Sequence, residues 1–194
     1  MAVFCRKAFI ALACFTTIVS CSRRHESLPK FINDIAPFMG IDSFLILEDD
    51  CQDEIQAQLN SIRGPVSYVC NPQHLDLPAA LSNDRDEAVV LFGNKTIDLI
   101  NALDLRRHKR NHFFIFCRED CFQMGKEINA IRLDSSIFLV EEDDSSFFLY
   151  EVYNIFGFIE GNIIQRFGNW TQNSGGDFFS KKMRSTVDFE NNFI

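Results

Sequence analysis

Beyond residue 20 the chain has no apolar run near the roughly 18 residues that a membrane-spanning helix requires, so no such span is expected after that point. It also lacks a glycine-rich phosphate loop, a nucleophile elbow, a His-Glu-x-x-His helix and paired Cys-x-x-Cys motifs. Gly157-Phe158-Ile159-Glu160-Gly161 has neither the third glycine nor the strand-to-helix setting of a dinucleotide loop and reads as a turn. Histidine is sparse and scattered, at 25, 74, 108 and 112, so Cys117-x-x-x-Cys121 has no second pair with which to build a zinc site. The acidic run Glu141 to Asp144 lacks the alternating spacing and the glycine of a calcium loop and reads as a solvated turn. The expectation is a recognition domain without a catalytic constellation, cofactor or metal, not an enzyme.

Basic residues are few: 19 Lys and Arg stand against 27 Asp and Glu, for a formal charge of −8. That balance argues against a nucleic-acid partner. The one basic cluster, Arg106 to Arg110, falls where a helix should give way to a strand and reads as an exposed turn.

What is present begins with Arg6 and Lys7 ahead of an apolar stretch, Ala8 to Ser20, broken only by Thr16 and Thr17. Its length and flanks fit a signal-peptide core, with Ser20, Cys21 and Ser22 at the cleavage point and a mature start near Arg23. Ile18-Val19-Ser20-Cys21 also fits a bacterial lipobox, a reading opposed by the later sequons. Removing residues 1–22 takes away Arg6 and Lys7 and no acidic residue, so the charge moves from −8 to −10. Of seven cysteines, Cys51, Cys70, Cys117 and Cys121 remain, an even number that in an oxidising compartment suggests up to two disulfides with three possible connectivities.

From Asp42 onward, short apolar bursts alternate with helical spacing. Strands are expected at 43–47, 66–69, 88–92, 112–116 and 137–140, and helices at 50–62, 96–103 and 122–131, with an irregular stretch at 72–81. Phenylalanine is in excess, 21 residues, and short apolar bursts such as Phe113-Phe114-Ile115-Phe116 and Phe147-Phe148-Leu149-Tyr150 read as buried strands. Such alternation predicts an α/β fold, a mostly parallel sheet with helices on both faces. Residues 146–155 follow the acidic turn closely enough to return as an antiparallel edge hairpin. Because the first two strands of such sheets usually lie side by side, Cys51 and Cys70, both just past strand ends, are the first disulfide candidates. Cys117 and Cys121 either close a small loop or stay as buried thiols. If the domain binds a small ligand, the carboxyl ends of the strands should hold it, near Glu48, Asn71, Gly93 and Arg118. Two sequons, Asn94-Lys95-Thr96 and Asn169-Trp170-Thr171, make Asn94 and Asn169 glycosylation candidates. Past Gly157 the glycine, asparagine and serine content reads as a linker over 157–187.

The carboxyl-terminal third carries ordered motifs. Leu133-Asp134-Ser135-Ser136 leads an apolar strand, Leu149-Tyr150-Glu151-Val152-Tyr153 comes next, then Phe167-Gly168-Asn169-Trp170, the basic Lys181-Lys182-Met183-Arg184, and Asp188 to Ile194. This order resembles the insect chemosensory ionotropic receptors, variants of the ionotropic glutamate receptors. In them an aromatic Glu-Val-Tyr strand and a Gly-x-Trp step close a short amino-terminal domain shaped like a periplasmic-binding-protein lobe. Asn191 stands where that family has glycine, a mild departure because asparagine tolerates a left-handed backbone. The match covers about 131–194.

The resemblance implies four segments: a signal peptide at 1–22, an extracellular domain at 23–156, the linker at 157–187, and at 188–194 the start of a ligand-binding lobe, in a fragment that omits the clamshell and pore. It implies related receptor subunits as partners, a small-molecule agonist bound outside these residues, and the extracellular side of a chemosensory neuron's plasma membrane. No agonist-binding or pore residue has a counterpart here. The alternative is a free-standing secreted α/β domain that binds a small ligand.

Overall fold

The computed structural model describes residues 27–49, 51, 53–81, 84–93, 96–117, 120–129, 136–143, 146–154 and 161–178. The stretch expected as a signal peptide, 1–22, and the segment after Phe178 lie outside them, as do Asn94 and Arg118.

The first described element is a helix absent from the sequence expectations, α1 (27–39). Leu28, Phe31, Ile32, Ile35 and Ala36 recur at helical spacing, and all are buried. Ile41 N–H donates back to the Ala36 carbonyl (2.9 Å), closing the helix at its carboxyl end. Then come β1 (Ser43–Glu48), α2 (Asp53–Leu59), β2 (Val66–Cys70), α3 (Leu77–Ala80), β3 (Glu87–Phe92), α4 (Thr96–Asn101), β4 (Asn111–Cys117), α5 (Cys121–Glu127), β5 (Ser136–Asp143), β6 (Ser146–Tyr153), β7 (Ile163–Thr171) and β8 (Gly175–Phe178). None of the helices among the described residues is long and apolar enough to cross a membrane.

The eight strands among the described residues form one sheet in the order β2-β1-β3-β4-β5-β6-β7-β8. The first five are parallel, and β6, β7 and β8 add on in antiparallel fashion. The parallel strands read as continuous apolar runs because both of their faces are covered. Phe44, Ile46, Ala88, Val90, Phe114, Phe116, Phe138 and Val140 pack on one face with α1 and with Leu59 of α2. Leu45, Leu47, Val89, Leu91, Phe113, Ile115, Ile137 and Leu139 pack on the other with Leu77 of α3, Ile100 of α4 and Cys121 of α5. Phe31, Phe44, Phe113, Phe114, Phe116, Phe138, Phe147 and Phe167 are all buried in these two layers. Phe31 of α1 sits within 6.5 Å, ring to ring, of Phe114, Phe116, Phe147 and Trp170, mostly edge-on.

The described part of the stretch expected as a linker, 161–178, is mostly strand. Residues 163–171 and 175–178 are β7 and β8, and they extend the sheet. Their composition misleads for a physical reason. A Cβ on Gly168 would lie 2.5 Å from the Asp177 carbonyl and 2.9 Å from the Phe178 Cα, so this glycine permits the close approach of β8. A bulge adds to the effect: Leu149 pairs with Gly168 and Tyr150 with Arg166, leaving Phe167 as the extra residue. The period-2 alternation breaks there, and Phe167 and Trp170 both join the α1 face. Trp170 is fully buried and its Nε1–H donates to Asp34 Oδ2 of α1 (2.8 Å). Lys30 Nζ donates to the Gln172 carbonyl, a second tie between α1 and this hairpin.

The basic cluster is a turn, as expected. Arg107 pairs with Asp104 (3.4 Å), and Arg110 reaches Asp86 (3.0 Å) and the Asp84 carbonyl (2.9 Å). His108 within it is buried.

Candidate functional site at the carboxyl ends of the parallel strands

In the β2-β1-β3 segment the chain leaves β1 toward one face of the sheet, where α2 packs, and leaves β3 toward the other, where α4 packs. The connections therefore diverge between neighbouring strands β1 and β3. In doubly wound sheets, a divergence of this kind opens a crevice at the carboxyl ends of the strands.

Glu48 ends β1 and is 1% exposed. Its Oε2 accepts from the Tyr68 hydroxyl of β2 (2.7 Å), and its carbonyl accepts from Asn71 N–H (2.8 Å). Asn71 adopts a left-handed conformation (φ 53°), which asparagine tolerates better than most residues. Asp49 N–H donates to the Phe92 carbonyl (3.2 Å), bridging the switch point itself. Beside it, Gly93 has φ +114°, and a Cβ there would lie 2.3 Å from Asp49 Oδ2, so only glycine fits.

Both cysteine pairs lie at this end of the sheet. Cys51 and Cys70, with Cα atoms 5.3 Å apart, tie the segment after β1 to the end of β2. Cys117 and Cys121 (5.5 Å) tie the end of β4 to the first turn of α5, where Asp120 accepts from the N–H groups of Phe122 (2.9 Å) and Gln123 (3.0 Å). Of the three connectivities open on the sequence, the structure adopts 51–70 with 117–121, so the second pair closes a small loop.

Three of the four residues expected around a ligand, Glu48, Asn71 and Gly93, thus meet at the switch point. Arg118 lies outside the described residues. The sequence reading missed Tyr68 and Asp49. Tyr68 was findable in principle, because Val66, Tyr68 and Cys70 share a side of β2 by alternation and so face the same layer as Glu48. Chemically, Glu48 is a buried carboxylate whose Oε2 is engaged by the Tyr68 hydroxyl, a bond that fastens the carboxyl ends of β1 and β2 to each other. Among the described residues no group of three or more His, Cys, Asp and Glu side chains is arranged to hold a metal ion.

The chain matches no family model, no curated protein and no solved structure. Its functional reading therefore rests on its own residues. Asn169, the described sequon asparagine, lies in β7, half-buried and away from the switch point.

Proposed function

We propose that this chain is the extracellular amino-terminal region of a chemosensory ligand-gated cation channel subunit. The observation that carries the reading is where the motif residues fall. Glu151-Val152-Tyr153 and Phe167-Gly168-Asn169-Trp170 occupy neighbouring strands, β6 and β7, and Trp170 is the buried residue that docks the antiparallel half under α1. The motifs that suggested a family thus sit where they complete a fold. Cysteine pairs at the strand ends suit an oxidising exterior. In this reading the domain serves assembly with related subunits and positioning, and agonist binding belongs to a clamshell outside these residues. Sequencing the transcript through the codon for Ile194 tests it. Continuation into a ligand-binding lobe and pore-length apolar helices is expected, and a stop codon with no such segments in any transcript of the gene would overturn it.

A second reading, a free-standing secreted domain that binds a small ligand, is favoured by the meeting of Glu48, Asn71 and Gly93 at the carboxyl ends of the strands, where Tyr68 braces Glu48. Here the exported domain gains thermal stability on adding its ligand, and Tyr68→Phe weakens that gain.

A further inference from the structure

Glu141, Phe148, Asn169 and Asp177 form one row across β5, β6, β7 and β8 by strand register. Their neighbours Val140, Phe147, Leu149 and Trp170 belong to the cluster under α1, so by alternation the row stands on the opposite side of the sheet. That side faces solvent here: Glu141 and Asp177 are exposed, and Phe148 and Asn169 half-exposed. The row mixes polar groups with one large ring. Arg166, diagonal to Phe148 on β7, holds its guanidinium carbon 5.0 Å from the ring centroid. Asn169 begins the sequon completed by Thr171, whose hydroxyl sits beside the turn at 172–174 and contacts Ser174 Oγ.

We infer that Asn169 carries an N-linked glycan whose first N-acetylglucosamine packs against the Phe148 ring, so that this solvent-facing row is sugar-covered and is not a protein-docking surface. The inference rests on the extracellular reading of the chain, because the donor is a polyprenyl-diphosphate-linked oligosaccharide found only in the secretory pathway. The Asn169 amide nitrogen forms a bond to sugar C1, the C1–oxygen bond to the diphosphate breaks, and the amide proton leaves with the lipid diphosphate. No redox change occurs. Transfer takes place on the extended chain, before β7 pairs, so a position within a strand is no obstacle. After folding, the register places the sugar directly opposite Phe148, and the apolar face of a pyranose ring suits an aromatic ring that would otherwise stay half in water.

The test is expression of the full chain in eukaryotic cells that make high-mannose glycans, followed by site mapping and melting. Asn169→Gln should remove one glycan mass. Trimming with an endoglycosidase that leaves a single N-acetylglucosamine should retain most of the stabilisation that complete removal abolishes, a difference of about 2 °C or more in Tm. Phe148→Leu, which keeps apolar bulk without the ring, should erase that difference; Phe148→Tyr, which keeps the ring, should preserve it. A secreted, disulfide-bonded chain unmodified at Asn169 overturns this inference and leaves the extracellular reading standing. Modification with no Tm difference between the two trimmed forms, or a difference that survives Phe148→Leu, overturns the packing. A cytosolic chain with reduced thiols overturns the extracellular reading and this inference with it.

Discussion

Trp170 is the point at which α1 and the β7–β8 hairpin become one structure, so removing its indole nitrogen should measure that union. Trp170→Phe deletes the 2.8 Å hydrogen bond to Asp34 and leaves a void under Phe31 and Phe147, whose rings lie 5.9 and 5.4 Å from the indole. The void of about 40 Å³, at roughly 24 cal/mol per Å³, contributes about 1 kcal/mol. The lost bond adds about 1 kcal/mol, and not more, because Asp34 is exposed and regains water. The sum of about 2 kcal/mol corresponds to a fall in Tm of about 4–8 °C for a domain of this size. Asp34→Ala leaves the Trp170 N–H buried without its acceptor and should cost a similar amount. In the double-mutant cycle the two changes should couple by about 1 kcal/mol, read by circular dichroism melts. Independent effects, or an Asp34→Ala variant that melts like the parent, would refute the argument that α1 and β7 fold as a unit.

Further outcomes come from the same geometry. Gly168→Ala drives a methyl into the Asp177 carbonyl and should cost about 1–3 kcal/mol, with hydrogen exchange accelerated in β8 first. Opening the Cys51–Cys70 link, with its separation of 19, by Cys51→Ala and Cys70→Ala should cost about 3 kcal/mol; opening Cys117–Cys121, with its separation of 4, should cost about 2 kcal/mol, as denaturant midpoints would report. Burial pushes the Tyr150 phenol above its usual value of 10.0, and the bond to Glu141 adds to the rise. The protonated phenol is the form the fold favours, so its contribution is complete below pH 10 and is lost as pH climbs through the raised value. Ultraviolet titration should show the Tyr150 phenol ionising late, with Glu141→Gln moving it earlier and Tyr150→Phe deleting that step.

The parallel half was legible because its strands are buried on both faces. Runs such as Phe113-Phe114-Ile115-Phe116 carry no polar alternation that could be misread, and their spacing left room for only short crossover helices. Cys51 and Cys70 were first candidates for the same reason, since strand ends that neighbour in the sheet bring them together, whereas the sequence left Cys117 and Cys121 open between a closed loop and two thiols. Helix α1 was missed although Leu28, Phe31, Ile32 and Ile35 have helical spacing, because Pro29 and Pro37 punctuate it and it comes so soon after the apolar stretch at 8–20. Strands β7 and β8 were missed because Gly168 and the Phe167 bulge disrupt alternation, and glycine there meets a demand of close packing that composition alone presents as a linker. At the switch point Glu48, Asn71 and Gly93 were found from topology, whereas Tyr68 depended on knowing which side of β2 faces Glu48.

The central claim is an exported domain oxidised at the strand ends, and peptide mapping of the full chain without reduction tests it most directly. Trypsin can cut at Arg63, between Cys51 and Cys70, and at Arg118, between Cys117 and Cys121, so each pair should appear as two peptides joined by one disulfide. The account predicts those two linkages in protein recovered from outside the cell, with an amino terminus near Arg23. Four thiols free to alkylation in protein that still begins with its apolar leader, or a linkage of Cys51 to Cys117, would contradict it.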